Sequence, residues 1–314
     1  MKIVVLSEPF AIQPVLNDLR GLGDIEVYSD TTTIELAVSR SEGAEIAILS
    51  GYVTPTTHEL LDKLQSVKFI IVDSTGYDFI DVEYAKSKGI MVANVPGFST
   101  EAVAEHAIAL MFAVNKNLVV ADTFLRKNAK EVEPDTKESN LLMGYDLRGK
   151  VMGVIGLGAI GQRVAEIAKG IGMNVFAYNR TPKDIDGVSM VEMGELLQQS
   201  DVISIHLALN SDTKYAIGKE QLSIMKKSAI LINTGRGAHI DNKALYEALS
   251  KKQIRGAGLD VVEEWSMDNP LLQLDNVIFT PHTAWNTHES MGNIGTIILN
   301  EVRGYINKSL LNVL

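Results

Sequence analysis

Cysteine is absent from all 314 residues of this chain. Disulfide bonds, cysteine nucleophiles and cysteine metal sites are therefore excluded. Long hydrophobic runs are missing too, since none reaches the ~18 apolar residues that a membrane-spanning helix needs. The apolar run at residues 3–6 is too short for a signal peptide. These absences predict a cytoplasmic protein with no membrane partner.

Basic residues are in deficit: 29 lysines and arginines stand against 39 aspartates and glutamates, for a net charge of −10. Proteins that bind nucleic acid usually present a basic surface, so we expect no nucleic-acid partner. The hydrophobic fraction of 46% and the charged fraction of 22% are typical of a soluble protein with a large core. The length favours two domains.

The first hundred residues alternate short apolar runs with helical patterns. Strands are predicted at 3–6, 25–28, 46–49, 69–72 and 91–93, and helices at 15–20, 34–40, 58–64 and 82–86. This alternation predicts βα units and a parallel sheet. Pro96 and Gly97 break the chain after the fifth strand, and a long helix is predicted to begin near Thr100.

A second alternating series begins at Val151, after a polar stretch at 128–149 that we interpret as a surface connection. Six strands are predicted, at 151–155, 175–178, 202–206, 229–233, 257–261 and 277–280. A last helix is predicted over 289–306, and it could return to the first domain. The sequence therefore predicts an α/β protein with two doubly wound parallel sheets.

The first strand of the second series runs into a G-x-G-x-x-G loop, formed by Gly156, Gly158 and Gly161, and a helical pattern follows. In such a loop the first glycine makes the tight turn, the second admits a pyrophosphate, and the third lets helix and strand pack closely. The helix N-terminus then faces the phosphates. A dinucleotide site is predicted here, with Ala159 and Ile160 beside the glycines.

Three later loops carry side chains that can bind an anion or transfer a proton. Arg236 follows the fourth strand, Asp260 with Glu263 and Glu264 follows the fifth, and His282 follows the sixth. An arginine can grip a carboxylate, and a histidine held by an acid can exchange a proton near neutral pH. Beside a nicotinamide these groups suit hydride transfer at a hydroxyl or carbonyl carbon, without a metal.

Several motifs in the same order resemble the D-isomer-specific 2-hydroxyacid dehydrogenase family over nearly the whole chain. They are STGYD (74–78), NVPGFSTEAVAEH (94–106), LRGK (147–150), the glycine loop, NTGRG (233–237), GLDV (258–261) and TPH (280–282). The resemblance implies a flavodoxin-like substrate domain, residues 1–99 and 285–314, into which a Rossmann cofactor domain, residues 100–284, is inserted. It also implies a homodimer with the long helix in the interface.

The resemblance implies roles for single residues. Arg236 would bind and polarise the substrate, His282 would be the acid–base group, and the amides of Thr75 and Gly76 would help to hold the carboxylate. Tyr77, Phe98 and Trp285 would complete the substrate wall. Further cofactor contacts would come from Asn179, Arg180, Thr181, His206, Leu207, Thr234, Gly235, Arg236, Asp260, His282 and Ala284, with Asp260 at the nicotinamide end.

One departure concerns the glutamate that pairs with the histidine in this family. It usually stands 29 residues after the arginine, a position occupied here by Trp265. We expect Glu264 to take its place through a local shortening of the loop. Glu263 remains an alternative, and it is also open that neither glutamate pairs with His282.

A second departure concerns the cofactor. NAD enzymes carry an acid at the end of the second strand, for the ribose 2′-hydroxyl, but Asn179 stands there, followed by Arg180. A carboxylate would repel a 2′-phosphate by roughly 4 kcal/mol at 4 Å and an effective dielectric of 20. NADP(H) is therefore the predicted preference, with NAD(H) possible.

The leading hypothesis is a 2-keto acid reductase with glyoxylate or hydroxypyruvate as substrate. It is supported by Asn179 and Arg180 at the end of the second strand of the cofactor domain, and by the spacing of His282 and Trp285. One alternative is an NAD-dependent D-lactate or D-glycerate dehydrogenase. The other is a nucleotide-sensing interaction protein like the corepressors that share this fold; the intact arginine and histidine favour an enzyme.

Overall fold

The computed structural model describes residues 1–6, 12–51, 53–128 and 142–314. This part of the chain divides into two compact units, Met1–Ser99 with Asn286–Leu314, and Thr100–Trp285. At the end of the second unit, the Trp285 indole N–H donates to the carbonyl oxygen of His282, 2.9 Å away.

The elements are numbered here in chain order. The strands are β1 Lys2–Val5, β2 Asp24–Val27, β3 Ile46–Leu49, β4 Phe69–Val72, β5 Met91–Ala93, β6 Val151–Ile155, β7 Asn174–Tyr178, β8 Val188–Met190, β9 Val202–Ile205, β10 Ile230–Asn233, β11 Gly256–Leu259 and β12 Val277–Phe279. The helices are α1 Leu16–Arg20, α2 Ile34–Arg40, α3 His58–Lys63, α4 Val82–Ser87, α5 Thr100–Asn115, α6 Leu118–Asn128, α7 Ala159–Gly170, α8 Met193–Gln199, α9 Lys219–Ser223, α10 Asn242–Ser250 and α11 His288–Asn307.

The first unit is built on a parallel sheet with the strand order β2-β1-β3-β4-β5. This is the flavodoxin-like order of a doubly wound fold. Its central strands β3 and β4 are buried along their whole length, as expected for a sheet covered on both faces. Side-chain caps start helices α2, α3 and α4, because Thr33, Thr57 and Asp81 each accept a backbone N–H from the first turn.

Helix α11 and the tail after it complete the first unit. Thr287 caps the helix, which buries one apolar stripe that includes Ile294, Ile298 and Val302. After the helix, Val313 forms an antiparallel bridge with Ala93. The tail therefore adds a short antiparallel partner to the edge strand β5.

The second unit is built on a parallel sheet with the order β12-β11-β10-β9-β6-β7-β8. Read from β6 outward, this is the Rossmann order with one strand added at the far end. The prediction of six strands was wrong, because it missed β8, a three-residue edge strand without a buried side chain. Apolar cores cover both faces, one with α5 and α7, the other with α8, α9 and α10.

Helices α5 and α6 contain the longest apolar stretch. No single helix in the described residues is long and apolar enough to cross a membrane. Helices α5 and α6, bent by 56° at the break between them, together have the length and apolar composition of a membrane span. Helix α5 is largely buried in the core of the second unit. Of the predicted surface connection at 128–149, Asn128 ends α6, residues 129–141 lie outside the described residues, and residues 142–149 form no helix or strand.

Candidate functional site

The glycine loop between β6 and α7 has the geometry that its sequence predicts. Gly156 has a φ of 95°, and a Cβ there would lie 2.6 Å from the carbonyl oxygen of His206. A Cβ on Gly161 would overlap the carbonyl oxygen of Gly156. Both positions therefore require glycine, the first for its dihedral angle and the second for close packing of helix on strand.

Gly158 is different, because a Cβ there would meet open space. It is the N-cap of the 12-residue helix α7, and no side chain caps this end. Gly158 and Ala159 are exposed, Ile160 is half-buried, and the first-turn N–H groups carry the positive end of the helix dipole. This open, uncapped terminus fits a pyrophosphate.

The end of β7 is fastened to the glycine loop by polar contacts. The Asn179 amide accepts the Leu157 N–H at 3.0 Å and donates to the Thr181 carbonyl at 2.6 Å. Lys183 Nζ donates to the Leu157 carbonyl at 2.8 Å, and Arg180 is exposed beside them. A carboxylate at residue 179 could not donate to Thr181, so this turn suits an amide and leaves two cations near the strand end.

The end of β9 carries His206, whose ring Nε2 lies 2.8 Å from Ser204 Oγ. Burial lowers the pKa of His206 to about 4, so its imidazole is neutral at pH 7. The next residue, Leu207, accepts a hydrogen bond from the ring of the buried His239 through its carbonyl oxygen, at 3.1 Å. These contacts fix the backbone beside Gly156.

Arg236 lies in a turn that a buried asparagine closes from both sides. Asn233 accepts the Gly235 N–H at 3.0 Å and donates to the Arg236 carbonyl at 2.8 Å. The guanidinium is half-buried and Nη1 donates to the Gly235 carbonyl at 3.1 Å. Thr234 Oγ1 is buried and has no hydrogen-bond partner in the part of the chain that the structure describes. Such an orphaned hydroxyl fits a polar ligand atom.

Asp260 is fully buried and holds the loop that follows β12. Its Oδ1 accepts the Thr283 N–H at 2.9 Å, and its Oδ2 accepts the Ala284 N–H at 3.0 Å. Its backbone carbonyl accepts the His282 N–H at 2.9 Å. The carboxylate is therefore turned toward these loop N–H groups, and the expected place of Asp260 at the nicotinamide end stays a prediction.

His282 has a φ of 55°, in the left-handed region. That conformation costs a non-glycine residue roughly 1–2 kcal/mol, although histidine adopts it more readily than most. Two hydrogen bonds offset this cost. The His282 N–H donates to the Asp260 carbonyl oxygen, and the Trp285 indole N–H donates to the His282 carbonyl oxygen. The strained backbone is held from both sides, which fixes the position from which the imidazole projects.

The two glutamates after β11 are engaged elsewhere or exposed. The Glu263 carboxylate accepts the Tyr215 hydroxyl at 2.7 Å and lies 3.9 Å from Lys214 Nζ. Glu264 is exposed, and its backbone carbonyl accepts the Asn269 amide. Trp265 is half exposed and packs edge-on against Phe279 at 6.3 Å.

In the first unit, the expected substrate residues lie in loops after β4 and β5. Thr75 Oγ1 donates to the Val95 carbonyl at 2.9 Å, and the Asn94 amide donates to the Thr75 carbonyl at 2.7 Å. The N–H groups of Thr75 and Gly76 donate no hydrogen bond within the described residues. Tyr77 is 41% exposed, whereas Phe98 is nearly buried at 7%.

Within the second unit, the structure brings the Arg236, Asp260 and His282 loops to adjacent strand ends, because β10, β11 and β12 are neighbours in the sheet. The sequence assigned no role to Asn233, Thr280 or His106. Thr280 Oγ1 donates to Asp260 Oδ1 at 2.5 Å, and His106 Nε2 lies 2.9 Å from Thr280 Oγ1. Only His106 is distant in sequence from the loops it supports, so spacing alone could not reveal it.

Comparison with known proteins identifies relatives over the whole chain. The family model "D-isomer specific 2-hydroxyacid dehydrogenase, NAD binding domain" matches residues 108–284. A glyoxylate reductase from Thermococcus litoralis is 38% identical over 92% of this chain and 90% of its own length. A D-3-phosphoglycerate dehydrogenase from Methanocaldococcus jannaschii is 38% identical over 99% of this chain, which spans 59% of that relative.

The fold has equally similar solved structures. An acyclic imino acid reductase in complex with NADPH and D-Arg matches with a TM-score of 0.92 and 38% identity, covering both chains completely. The family match and the two parallel sheets confirm the fold and the cofactor domain that the motifs predict. The chain therefore belongs to the D-isomer specific 2-hydroxyacid dehydrogenase family and is a nicotinamide-dependent oxidoreductase.

Proposed function

We propose that this protein reduces a small 2-keto acid to the D-2-hydroxy acid, with glyoxylate or hydroxypyruvate as substrate. The observation that carries the proposal is the loop after β12, in which Asp260 and Trp285 hold His282 in a left-handed conformation. Such strain is maintained where a side chain must be aimed. The glyoxylate reductase among the relatives supports this substrate class.

The residues divide the chemistry between them. His282 gives a proton to the carbonyl oxygen during reduction and takes it back in the reverse direction. Arg236 binds the substrate carboxylate and polarises the carbonyl group. The N–H groups of Thr75 and Gly76 are further donors for a carboxylate. When bound, the nicotinamide cofactor supplies the hydride.

The test is a panel of 2-keto acids with purified protein, following NADPH oxidation at 340 nm (the usual absorbance of the reduced nicotinamide). Turnover of glyoxylate or hydroxypyruvate is expected. His282→Ala should lower mainly kcat, whereas Arg236→Ala should also raise KM. Cofactor binding without turnover of any keto acid would contradict the proposal and favour the nucleotide-sensing alternative.

For the cofactor we propose a preference for NADP(H). The Asn179 amide bonds and the cations Arg180 and Lys183 near the strand end support it. Asn179→Asp should lower kcat/KM for NADPH relative to NADH, because the new carboxylate repels the 2′-phosphate. Arg180→Ala should act in the same direction, whereas Lys227→Ala, an exposed lysine before β10, is the matched control. Strong NADH preference of the unaltered protein would favour the D-lactate or D-glycerate dehydrogenase alternative.

For the glutamate we retain Glu264 as the partner of His282, with Glu263 as the alternative. The Tyr215 and Lys214 contacts of Glu263 support this order, because they already use its carboxylate. Glu264→Gln should shift the pH profile of kcat, and Glu263→Gln should leave it in place. The opposite result would reverse the assignment, and two unchanged profiles would mean that neither pairs with His282.

A second candidate is reduction of an imino acid, the activity named for the solved relative at 38% identity. The observation that favours it is Trp265 where the family has a glutamate. An iminium substrate already carries its proton, so its reduction has less need of an acid, and an indole can stabilise the cation. Pyruvate with methylamine, compared with pyruvate alone, distinguishes the two functions.

We also propose a homodimer and a cytoplasmic location. The exposed apolar side chains Leu118, Val119, Val120 and Leu125 on α6 support an interface beside α5. A cytoplasmic location would give the enzyme access to the pools that regenerate NADPH. Sedimentation equilibrium and cell fractionation test the two statements separately.

A further inference from the structure

Helix α5 sends one polar side chain, His106, to the loop that carries His282. His106 is three-quarters buried and lies on a helix whose other inward residues are almost all apolar. Its Nε2 is 2.9 Å from Thr280 Oγ1 and 3.7 Å from Asp260 Oδ1. The residues in contact are 174 positions apart in sequence.

The direction of the hydrogen bonds follows from the protons available. The Thr280 hydroxyl has one proton, and it donates this to Asp260 Oδ1 at 2.5 Å. The bond between His106 and Thr280 must therefore be donated by Nε2–H of the imidazole. The result is a chain of two hydrogen bonds, in which His106 donates to Thr280 and Thr280 donates to the Asp260 carboxylate.

Asp260 is the last acceptor in this chain of hydrogen bonds, and it also binds the backbone of the loop after β12. Its two oxygens accept the N–H groups of Thr283 and Ala284, the residues directly after His282. A rotation of the carboxylate would break both bonds together. Because Thr280 donates to the same Oδ1 that accepts the Thr283 N–H, the His106–Thr280 pair favours the rotamer in which Asp260 holds the loop.

We propose that His106 is a positioning residue for His282, acting through Thr280 and the Asp260 carboxylate. The chain of hydrogen bonds transmits the placement of helix α5 to the backbone of residues 282–284. It also gives the buried Asp260 carboxylate a hydroxyl donor in addition to the loop N–H groups, which lowers the cost of its burial.

The test compares four variants of the full-length protein. His106→Leu removes the N–H donor, His106→Gln keeps one, and Thr280→Val removes the hydroxyl between them. Glu105→Ala changes the exposed neighbour on the same helix and is the matched control. The first readout is amide hydrogen exchange of the peptide that covers residues 280–285, which needs no substrate.

We expect faster exchange of that peptide in His106→Leu and in Thr280→Val, and exchange like that of the unaltered protein in His106→Gln and Glu105→Ala. A fifth variant, which combines His106→Leu with Thr280→Val, should exchange no faster than Thr280→Val alone, because His106 acts through that hydroxyl. Additive effects, or unchanged exchange in His106→Leu, would overturn the proposal.

The second readout is kinetic and rests on the proposed 2-keto acid reduction. With glyoxylate and NADPH, kcat of His106→Leu should fall by about tenfold while KM changes by less than about twofold, because a displaced acid affects the chemical step more than binding. His106→Gln should recover most of kcat. A fall in His106→Gln equal to that in His106→Leu would overturn the positioning role. If the unaltered protein reduces no keto acid, the proposed function fails, and the exchange measurement still decides on His106.

Discussion

At the scale of single residues, His206 links burial to acid stability. Burial lowers its pKa to about 4, against 6.5 when solvated, so between these values only the unfolded chain binds the proton. Stability from this residue is therefore complete above pH 6.5 and is lost as the pH falls toward 4. The full loss is on the order of 3 kcal/mol, of which about 2 kcal/mol is lost by pH 5.

The prediction is that His206→Gln loses less stability than the unaltered protein between pH 7.5 and pH 5. The difference in the free energy of unfolding, measured by urea denaturation at each pH, should be about 2 kcal/mol. His58→Gln is the control, because that histidine is more than half exposed. Parallel pH curves for His206→Gln and the unaltered protein would show that the ring titrates normally.

Residue-scale prediction from sequence succeeds where a position allows one residue type. Gly156 and Gly161 are recognisable because a Cβ at either would collide with a carbonyl oxygen. Asp260 is recognisable as important from its motif, but its inward direction depends on loop N–H groups that spacing does not show. The contacts of His106 depend on how α5 packs, so its place in the chain of hydrogen bonds is visible only in three dimensions.

At the scale of elements, the tail after α11 depends on a buried carboxylate. Glu301 is fully buried, and its Oε1 accepts both the backbone N–H and the side-chain amide of Asn312, at 3.1 and 2.6 Å. Asn312 lies next to Val313, which bridges to Ala93. The carboxylate therefore fastens the tail to the edge of the first sheet.

We expect Glu301→Ala to lower the free energy of unfolding by about 2–3 kcal/mol, since it removes a charged acceptor and leaves a backbone donor unpaired. Asn312→Ala should cost less, because the backbone N–H keeps its acceptor. Thermal unfolding of the two variants measures the difference. Equal costs would mean that the backbone N–H bond contributes nothing.

Element boundaries were predictable where apolar runs are long. Strands β3, β4 and β6 lie where the pattern predicts them, because four or five apolar residues in a row suit a buried parallel strand. Strand β8 escaped prediction because three partly exposed residues carry almost no periodic signal. Helix α6 escaped because its apolar residues are exposed rather than arranged along a core face.

At the scale of the whole molecule, the two units differ in continuity. Thr100–Trp285 is one uninterrupted segment with its own seven-stranded sheet and cores on both faces. We predict that this segment, expressed alone, unfolds cooperatively and binds NADPH but reduces no keto acid. Calorimetry and fluorescence of the bound cofactor measure these properties. A segment that exposes its core, shown by strong binding of a hydrophobic dye, would contradict the prediction.

The divided first unit has a consequence for synthesis on the ribosome. Its five strands are complete by Ala93, yet α11, which packs against β4, follows only after the whole of Thr100–Trp285 has been translated. At 5–20 residues per second, that interval is on the order of 10–40 s. During it, the side of the early sheet that α11 later covers lacks that helix, so a chaperone that shields nascent apolar surfaces can act on the amino-terminal part of this fold.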